Sequence, residues 1–301
     1  MSPLCVVQAR TGSLRLPGKV LLDLGGRPVL ALLLLRLRRG SSPVVVATST
    51  APGDDDVARL AEVLDVPVVR GSEADVLDRF RLVAETFPGA DPLVRITADC
   101  PFTDPEVIER ALAVHAASDA DYTSNTLSRT YPDGLDVEVV ARAALLAAAA
   151  EATELNEREH VTPFLQCHPD RFRLAAFCSG DDLGDLRLTL DTAEDLARLR
   201  TVVGGVADHV QAGWRSFVGD RPAPGEVEVR PQCAEGLLAT RRFAVVVGGQ
   251  EVAQVVVDLR PDAPAIVAGH IPDDLNAEVL RRTSRWLAMD LQRGPLTSLT
   301  R

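Results

Sequence analysis

A chain of 301 residues, 46% of them hydrophobic, has material for one large domain and a smaller one. Its formal net charge of -11 excludes a general nucleic-acid binder, because replacing phosphate counterions takes a dense positive field. The longest apolar run, Val29 to Leu35, falls far short of the roughly 20 residues that span a bilayer, and the first, Leu4 to Val7, meets Arg10 too soon for a signal peptide. A cytoplasmic protein with no membrane partner is therefore expected. The five cysteines, Cys5, Cys100, Cys167, Cys178 and Cys233, form no C-x-x-C pair and read as reduced thiols.

Along the chain, short β-branched runs alternate with helical stretches, the pattern of βαβ units around a largely parallel sheet. Strands are expected at Leu4 to Gln8, Val44 to Thr48, Val66 to Arg70 and Leu93 to Thr97. Amphipathic helices are expected between and after them, at Val29 to Arg39, Asp55 to Leu64, Ala74 to Thr86 and Pro105 to Ala117. Further strands follow at Asp121 to Asn125, Leu135 to Val140, Arg173 to Cys178 and Leu186 to Leu190, with helices at Ala141 to Ala152 and from Asp191 to about Val203. Gly204-Gly205 marks a change of character, which divides the chain into residues 1–205 and 206–301. The second part holds both tryptophans, Trp214 and Trp286, a hairpin from Phe243 to Asp258 turning at Gly248-Gly249, and a helix from Asn276 to Leu291. This makes an α/β sheet with helices on both faces, followed by a small α+β domain. The second domain is open to three readings: a dimerisation unit, a partner-binding unit or a fragment of another enzyme. A homodimer is expected.

The chemistry begins where the first strand ends, in Gln8-Ala9-Arg10-Thr11-Gly12-Ser13-Leu14-Arg15-Leu16-Pro17-Gly18-Lys19. At the carboxyl end of a parallel strand, such a glycine-bearing loop can surround phosphate oxygens with backbone N–H groups while its cations neutralise charge. Lys19 is the only lysine in the chain, which singles out a compact ammonium where every other basic residue is arginine. The spacing is neither a Walker A loop nor G-x-G-x-x-G.

QARTGSLRLPGK resembles the amino-terminal signature of the spore coat polysaccharide biosynthesis protein F family, cytidylyltransferases related to CMP-Kdo and CMP-sialic acid synthetases. Further matching blocks follow in order up to residue 196: VVVATST, RGSEADVLDRF, VRITADCPFTDP, YTSNTLSRTYPDGLDVEVV, EREHVTPF and LRLTLDTAEDL. The resemblance implies a Rossmann-like nucleotidyltransferase that takes CTP, a small acidic acceptor and Mg2+. It implies triphosphate contacts at Arg10, Ser13 and Lys19 with Arg15 in support, base and ribose contacts near Gly71, Asp75 and Arg79, and metal ligands at Asp99 and Asp191. Asn125, Asp133, Asp136, Glu138, Glu159 and His160 lie in segments that resemble the acceptor region. Taken alone, Asp133-Gly134 is a turn signal and Glu159-His160 a helix start. Ala98 stands where the family usually has glycine. Three alternatives remain: another base or a phosphonate or sugar phosphate acceptor, a nucleotide-sugar-dependent glycosyltransferase, and a non-catalytic nucleotide-binding subunit.

Overall fold

The computed structural model describes residues 2–179 and 181–219 in full and, beyond them, the backbone of the strands named below. β1 (Ser2–Gln8), β2 (Val44–Ser49), β3 (Val68–Gly71) and β4 (Ala90–Thr97) are parallel, and β6 (Glu138–Val140) runs antiparallel to both β4 and β5 (Tyr122–Ser124). β7 (Leu174–Ala176) pairs parallel to β5, giving the order β3-β2-β1-β4-β6-β5-β7, and β9 (Gly236–Leu237) adds antiparallel at β7. The chain leaves β1 toward β2 and β3, then crosses back to β4 on the other side of β1. The crevice outside the carboxyl ends of β1 and β4 is thus a topological switch point, where open α/β sheets bind ligands.

Period-two alternation sends the side chains of β1 to two separate cores. Cys5 and Val7 face the core built with α1 (Val29–Leu37), α2 (Asp55–Val63) and α4 (Pro105–Ser118). Leu4 and Val6 face the core built with α3 (Val76–Thr86) and α5 (Arg142–Glu151). Helices therefore cover both faces, as expected. α1 is nearly all apolar and almost wholly buried, the mark of a helix sunk into a core rather than laid upon it.

The packing of this unit continues past Gly205, where the sequence changes character. Trp214 and Phe217 are buried, Phe217 stacks on Phe102 with centroids 4.2 Å apart, and Trp214 lies 5.4 Å from Tyr131. Arg36 of α1, without exposed surface, ties the segment down: its Nη1 donates to the carbonyls of His209 at 2.6 Å and Ala212 at 2.9 Å, and its Nη2 to Asp104 at 2.9 Å.

The remaining strands, β8 (Val227–Gln232), β10 (Thr240–Val247), β11 (Gln250–Asp258) and β12 (Ile266–Ala268), form a separate antiparallel sheet in the order β12-β11-β10-β8. Val247 pairs with Gln250, the register of the expected two-residue hairpin connection. The expected helix from Asn276 to Leu291 lies outside the described residues.

Several expectations fail. Leu186 to Leu190 is not a strand, because its N–H groups bond to connecting chain: Leu188 donates to the Asp133 carbonyl at 2.6 Å and Leu190 to the Asp99 carbonyl at 2.9 Å. Glu159 and His160 end rather than start a helix, α6 (Leu155–His160), whose start is a capping box between Glu154 and Glu157. Another short helix, α7 (Pro163–Cys167), follows, and α8 (Ala193–Gly204) begins at a second capping box, Thr192 with Asp195. Cys178 is disulfide-bonded, its partner lying outside the described residues, while Cys5, Cys100 and Cys167 are free thiols. No helix among the described residues is long and apolar enough to cross a membrane.

Candidate active site

The loop after β1 is held shut by its own backbone and by one buried carboxylate. The Thr11 carbonyl accepts from Ser13 N–H at 2.8 Å and from Gly18 N–H at 2.9 Å, and Ser13 Oγ accepts from Leu16 N–H at 3.3 Å. Asp54, 1% exposed, accepts from both the N–H and the hydroxyl of Thr11, at 2.7 and 2.8 Å, and from the hydroxyl and N–H of Ser49 at the end of β2. Burial works to raise its pKa, but these donors outweigh it and hold the carboxyl below its ordinary range. A Cβ at Gly12 would stand 2.5 Å from Glu73 Oε1, the tip of an exposed side chain that would have to swing aside.

At the far end of the loop, Lys19 lies between the two carboxylates assigned to metal binding. Its ammonium is 2.6 Å from Asp99 Oδ2 and 2.9 Å from Asp191 Oδ1. Asp99 follows β4, whereas Asp191 reaches the same point from the irregular segment that the Asp99 carbonyl anchors. Arg15 also contacts Asp191 Oδ1, at 2.9 Å, and Arg187 bridges Asp191 at 2.5 Å and Asp133 at 2.8 Å. Burial pulls the Lys19 pKa down, but Asp99 and Asp191 more than offset it, so the ammonium is secured above its ordinary value. For Asp191, burial pulls upward and Lys19, Arg15 and Arg187 together pull the pKa below its ordinary value.

A second group gathers around α3. Gly71 ends β3, and a Cβ on it would meet Arg79 Cγ at 2.9 Å. Arg79 is 1% exposed, and its Nε and Nη1 have no partner among the described residues. Burial, joined by Arg10, lowers its pKa against Asp54, Glu73 and Asp75. Asp75 caps α3, accepting from Asp78 N–H at 2.9 Å, and pairs with Arg158 at 2.5 Å. Arg10 reaches across to Glu159 of α6 at 3.3 Å.

Beside these lies a cavity of about 320 Å³ whose lining includes Thr97, Asp136, Glu138 and His160. Of the six residues in the acceptor-like segments, three therefore meet there. Asn125 does not: it is buried and bridges backbone, donating to the Leu135 carbonyl at 2.8 Å and accepting from Val137 N–H at 2.9 Å. Asp133 faces Arg187, its pKa raised by burial and by Asp136, and Glu159 faces Arg10. Asp54 escaped the sequence reading, and Gln8, Arg95 and Arg187 were given no role there although each lies in one of the matching blocks. Arg95 left the further signal of a charge inside the apolar run Leu93 to Ile96.

A cation-bearing loop and two facing carboxylates thus lie together at the switch point of an open α/β sheet, the place where such sheets bind ligands. The chain belongs to the cytidylyltransferase family, whose model matches residues 4–200, and is a CTP-dependent nucleotidyltransferase. It is 34% identical over 208 residues to spore coat polysaccharide biosynthesis protein SpsF of Bacillus subtilis, covering 66% of this chain and 85% of that one. A cytidylyltransferase of Leptospira borgpetersenii superposes with a TM-score of 0.69 at 28% identity, over 72% of this chain and 92% of the other. CMP:2-keto-3-deoxy-manno-octonic acid synthetase, solved in complex with CTP, shares the fold at a TM-score of 0.52 and 18% identity, over 68% of this chain and 99% of its own.

Proposed function

We infer that the protein transfers CMP from CTP to a small acidic sugar or related acceptor with release of pyrophosphate. The observation that carries this reading is Lys19, held between Asp99 and Asp191 at the end of a closed loop. An acceptor oxygen bonds to the α-phosphorus, the bond from that phosphorus to its bridging oxygen breaks, and pyrophosphate departs with the electron pair. His160, in the cavity lining, takes the acceptor's proton. Arg10, Arg15 and Lys19 stabilise charge on the departing phosphates, and Ser13 adds a hydrogen bond. Arg79 gives its unpaired buried donors to the base or ribose above Gly71, with Asp75 fixing the start of α3.

Asp99 and Asp191 already converge on one cation, which suits Mg2+: that ion uses one or two carboxylates and completes its shell from phosphates and water. Held by Asp99 and Asp191, the ion would supply positive charge against the α-phosphate, and it would relieve Lys19 of the carboxylates so that the ammonium could serve the phosphates.

A pyrophosphate-release screen tests the reading, with CTP, UTP, ATP and GTP each paired with sugar acids, sugar phosphates and phosphonates. Release with CTP and a sugar acid, abolished by chelation of divalent metal, is the expected result. Release only with a sugar phosphate or a phosphonate would move the acceptor class. Consumption of a nucleotide sugar without pyrophosphate would make the protein a glycosyltransferase.

A further inference from the structure

One cation in the cavity has no task in the reading above. Arg95 lies on β4 between Val94 and Ile96, both fully buried, and a guanidinium in such a strand carries a desolvation cost. Its Nε donates to Gln8 Oε1 at 2.9 Å and its Nη1 to Glu138. Nη2 has no partner among the described residues, yet it is not a sealed-off orphan: the side chain keeps 12% of its surface, and Arg95 lines the cavity.

Arg95 shares its carboxylate partner with other donors. Glu138 also accepts from the hydroxyls of Tyr122 at 2.7 Å and Thr162 at 2.6 Å, so it depends on Arg95 for only part of its stabilisation. Asp136, the other carboxylate in the lining, is held by both Nη atoms of Arg129 at 2.8 and 3.0 Å. Burial pulls the Arg95 guanidinium below its ordinary range against Tyr122, Asp99 and Asp136, which act the other way. Thr97, also in the lining, is two residues from Asp99, so a molecule held by Arg95 lies next to the phosphate end of the site.

We propose that Arg95 binds the acceptor's carboxylate, its free Nη2 edge holding a carboxylate oxygen in the cavity while the reacting hydroxyl faces Asp99. The identity of the reacting group rests on the CMP-transfer reading, whereas the carboxylate site does not.

Two measurements on the full chain test this. With CTP and magnesium, sugar acids and their neutral carboxamides are compared in the wild type and Arg95→Gln. The wild type should favour the acid by about tenfold or more in kcat/KM, and the variant should lose that preference through KM with CTP affinity within about twofold. Arg95→Lys should recover part of it. Independently of turnover, sodium gluconate and sorbitol are titrated at matched ionic strength while the melting temperature is read. Gluconate should stabilise the wild type more than Arg95→Gln, and sorbitol both alike. Equal gluconate shifts in the two proteins, or none in either, would overturn the proposal, as would an acid preference that survives in Arg95→Gln. If no acceptor reacts but gluconate still discriminates, the CMP-transfer reading fails and the Arg95 site stands. If Arg95→Gln does not fold, the double variant Arg95→Gln/Glu138→Gln, which leaves no unpaired buried carboxylate, carries the same comparison.

Discussion

Asp54 touches neither nucleotide nor acceptor in the proposed reaction, yet it fixes the loop that holds the triphosphate. A buried carboxylate with four donors loses charge-assisted hydrogen bonds when replaced, so Asp54→Ala should lower stability by about 2 kcal/mol or more and raise KM for CTP more than it lowers kcat. Urea titration and initial-rate kinetics on the same preparation check both. The pKa of Asp54 is depressed by folding, so its contribution is complete above the unfolded carboxyl pKa, about 3.9, and is lost as pH falls through the lower folded value. Acid denaturation should therefore lose part of its pH dependence in Asp54→Asn. By contrast, Asp99→Asn and Asp191→Asn should leave the fold intact and each reduce turnover by about a hundredfold or more, because their charge serves the transition state. A rate near that of the wild type would remove the residue from the site. Asp99, Asp191 and Lys19 could be singled out as candidates because each sits in a block that carries the resemblance, and the structure brings the three side chains together. Asp54 could not be, since in Gly53-Asp54-Asp55-Asp56 nothing local separates the buried aspartate from the two that open α2.

Elements were legible where periodicity and caps agreed. Short apolar, largely β-branched runs marked β1, β2 and β4, a longer apolar run marked α1, and helical spacing marked α2 to α4. Leu186 to Leu190 alternates as a strand would, but its hydrogen bonds go to the Asp133 and Asp99 carbonyls, a tertiary fact that no local pattern carries. Gly134 fits this pairing closely: φ is +108°, and a Cβ would lie 2.6 Å from the Leu188 carbonyl carbon. Gly134→Ala should therefore lower stability by more than about 1 kcal/mol and disturb the approach of Asp191, seen as a drop in kcat beyond any change in melting temperature. At the start of α3, Asp75→Ala removes an N-cap and the partner of Arg158 and should cost about 1 kcal/mol by chemical denaturation. A shift in CTP affinity larger than that loss explains would give Asp75 a direct nucleotide contact.

At the scale of the whole molecule, Arg36, Trp214 and Phe217 decide where the catalytic unit ends. A chain stopped at Gly204 loses two buried aromatic rings from the core and leaves Arg36 buried without the carbonyls of His209 and Ala212. It should unfold or melt far below the full chain, whereas a chain stopped at Gly219, which gives up the edge strand β9 and the disulfide of Cys178 but keeps the core, should fold with a lower melting temperature and still bind CTP. Circular dichroism and CTP titration of the two truncations separate the cases, and quenching of Trp214 fluorescence by iodide should be weak in the longer one until it unfolds. The sequence placed Trp214 in the second part because the paired glycines and the end of the family blocks lie just before it. What binds the segment back is Arg36, inside an otherwise apolar helix, helped by Arg39 just beyond it, which donates to the Val210 carbonyl at 2.6 Å. That fastening has a consequence for how such a chain can be assembled in evolution. Because the run from His209 to Phe217 is riveted to α1, everything fused after it grows from an anchored root, and the separate sheet of β8, β10, β11 and β12 can be lengthened or exchanged so long as β9 keeps its place beside β7.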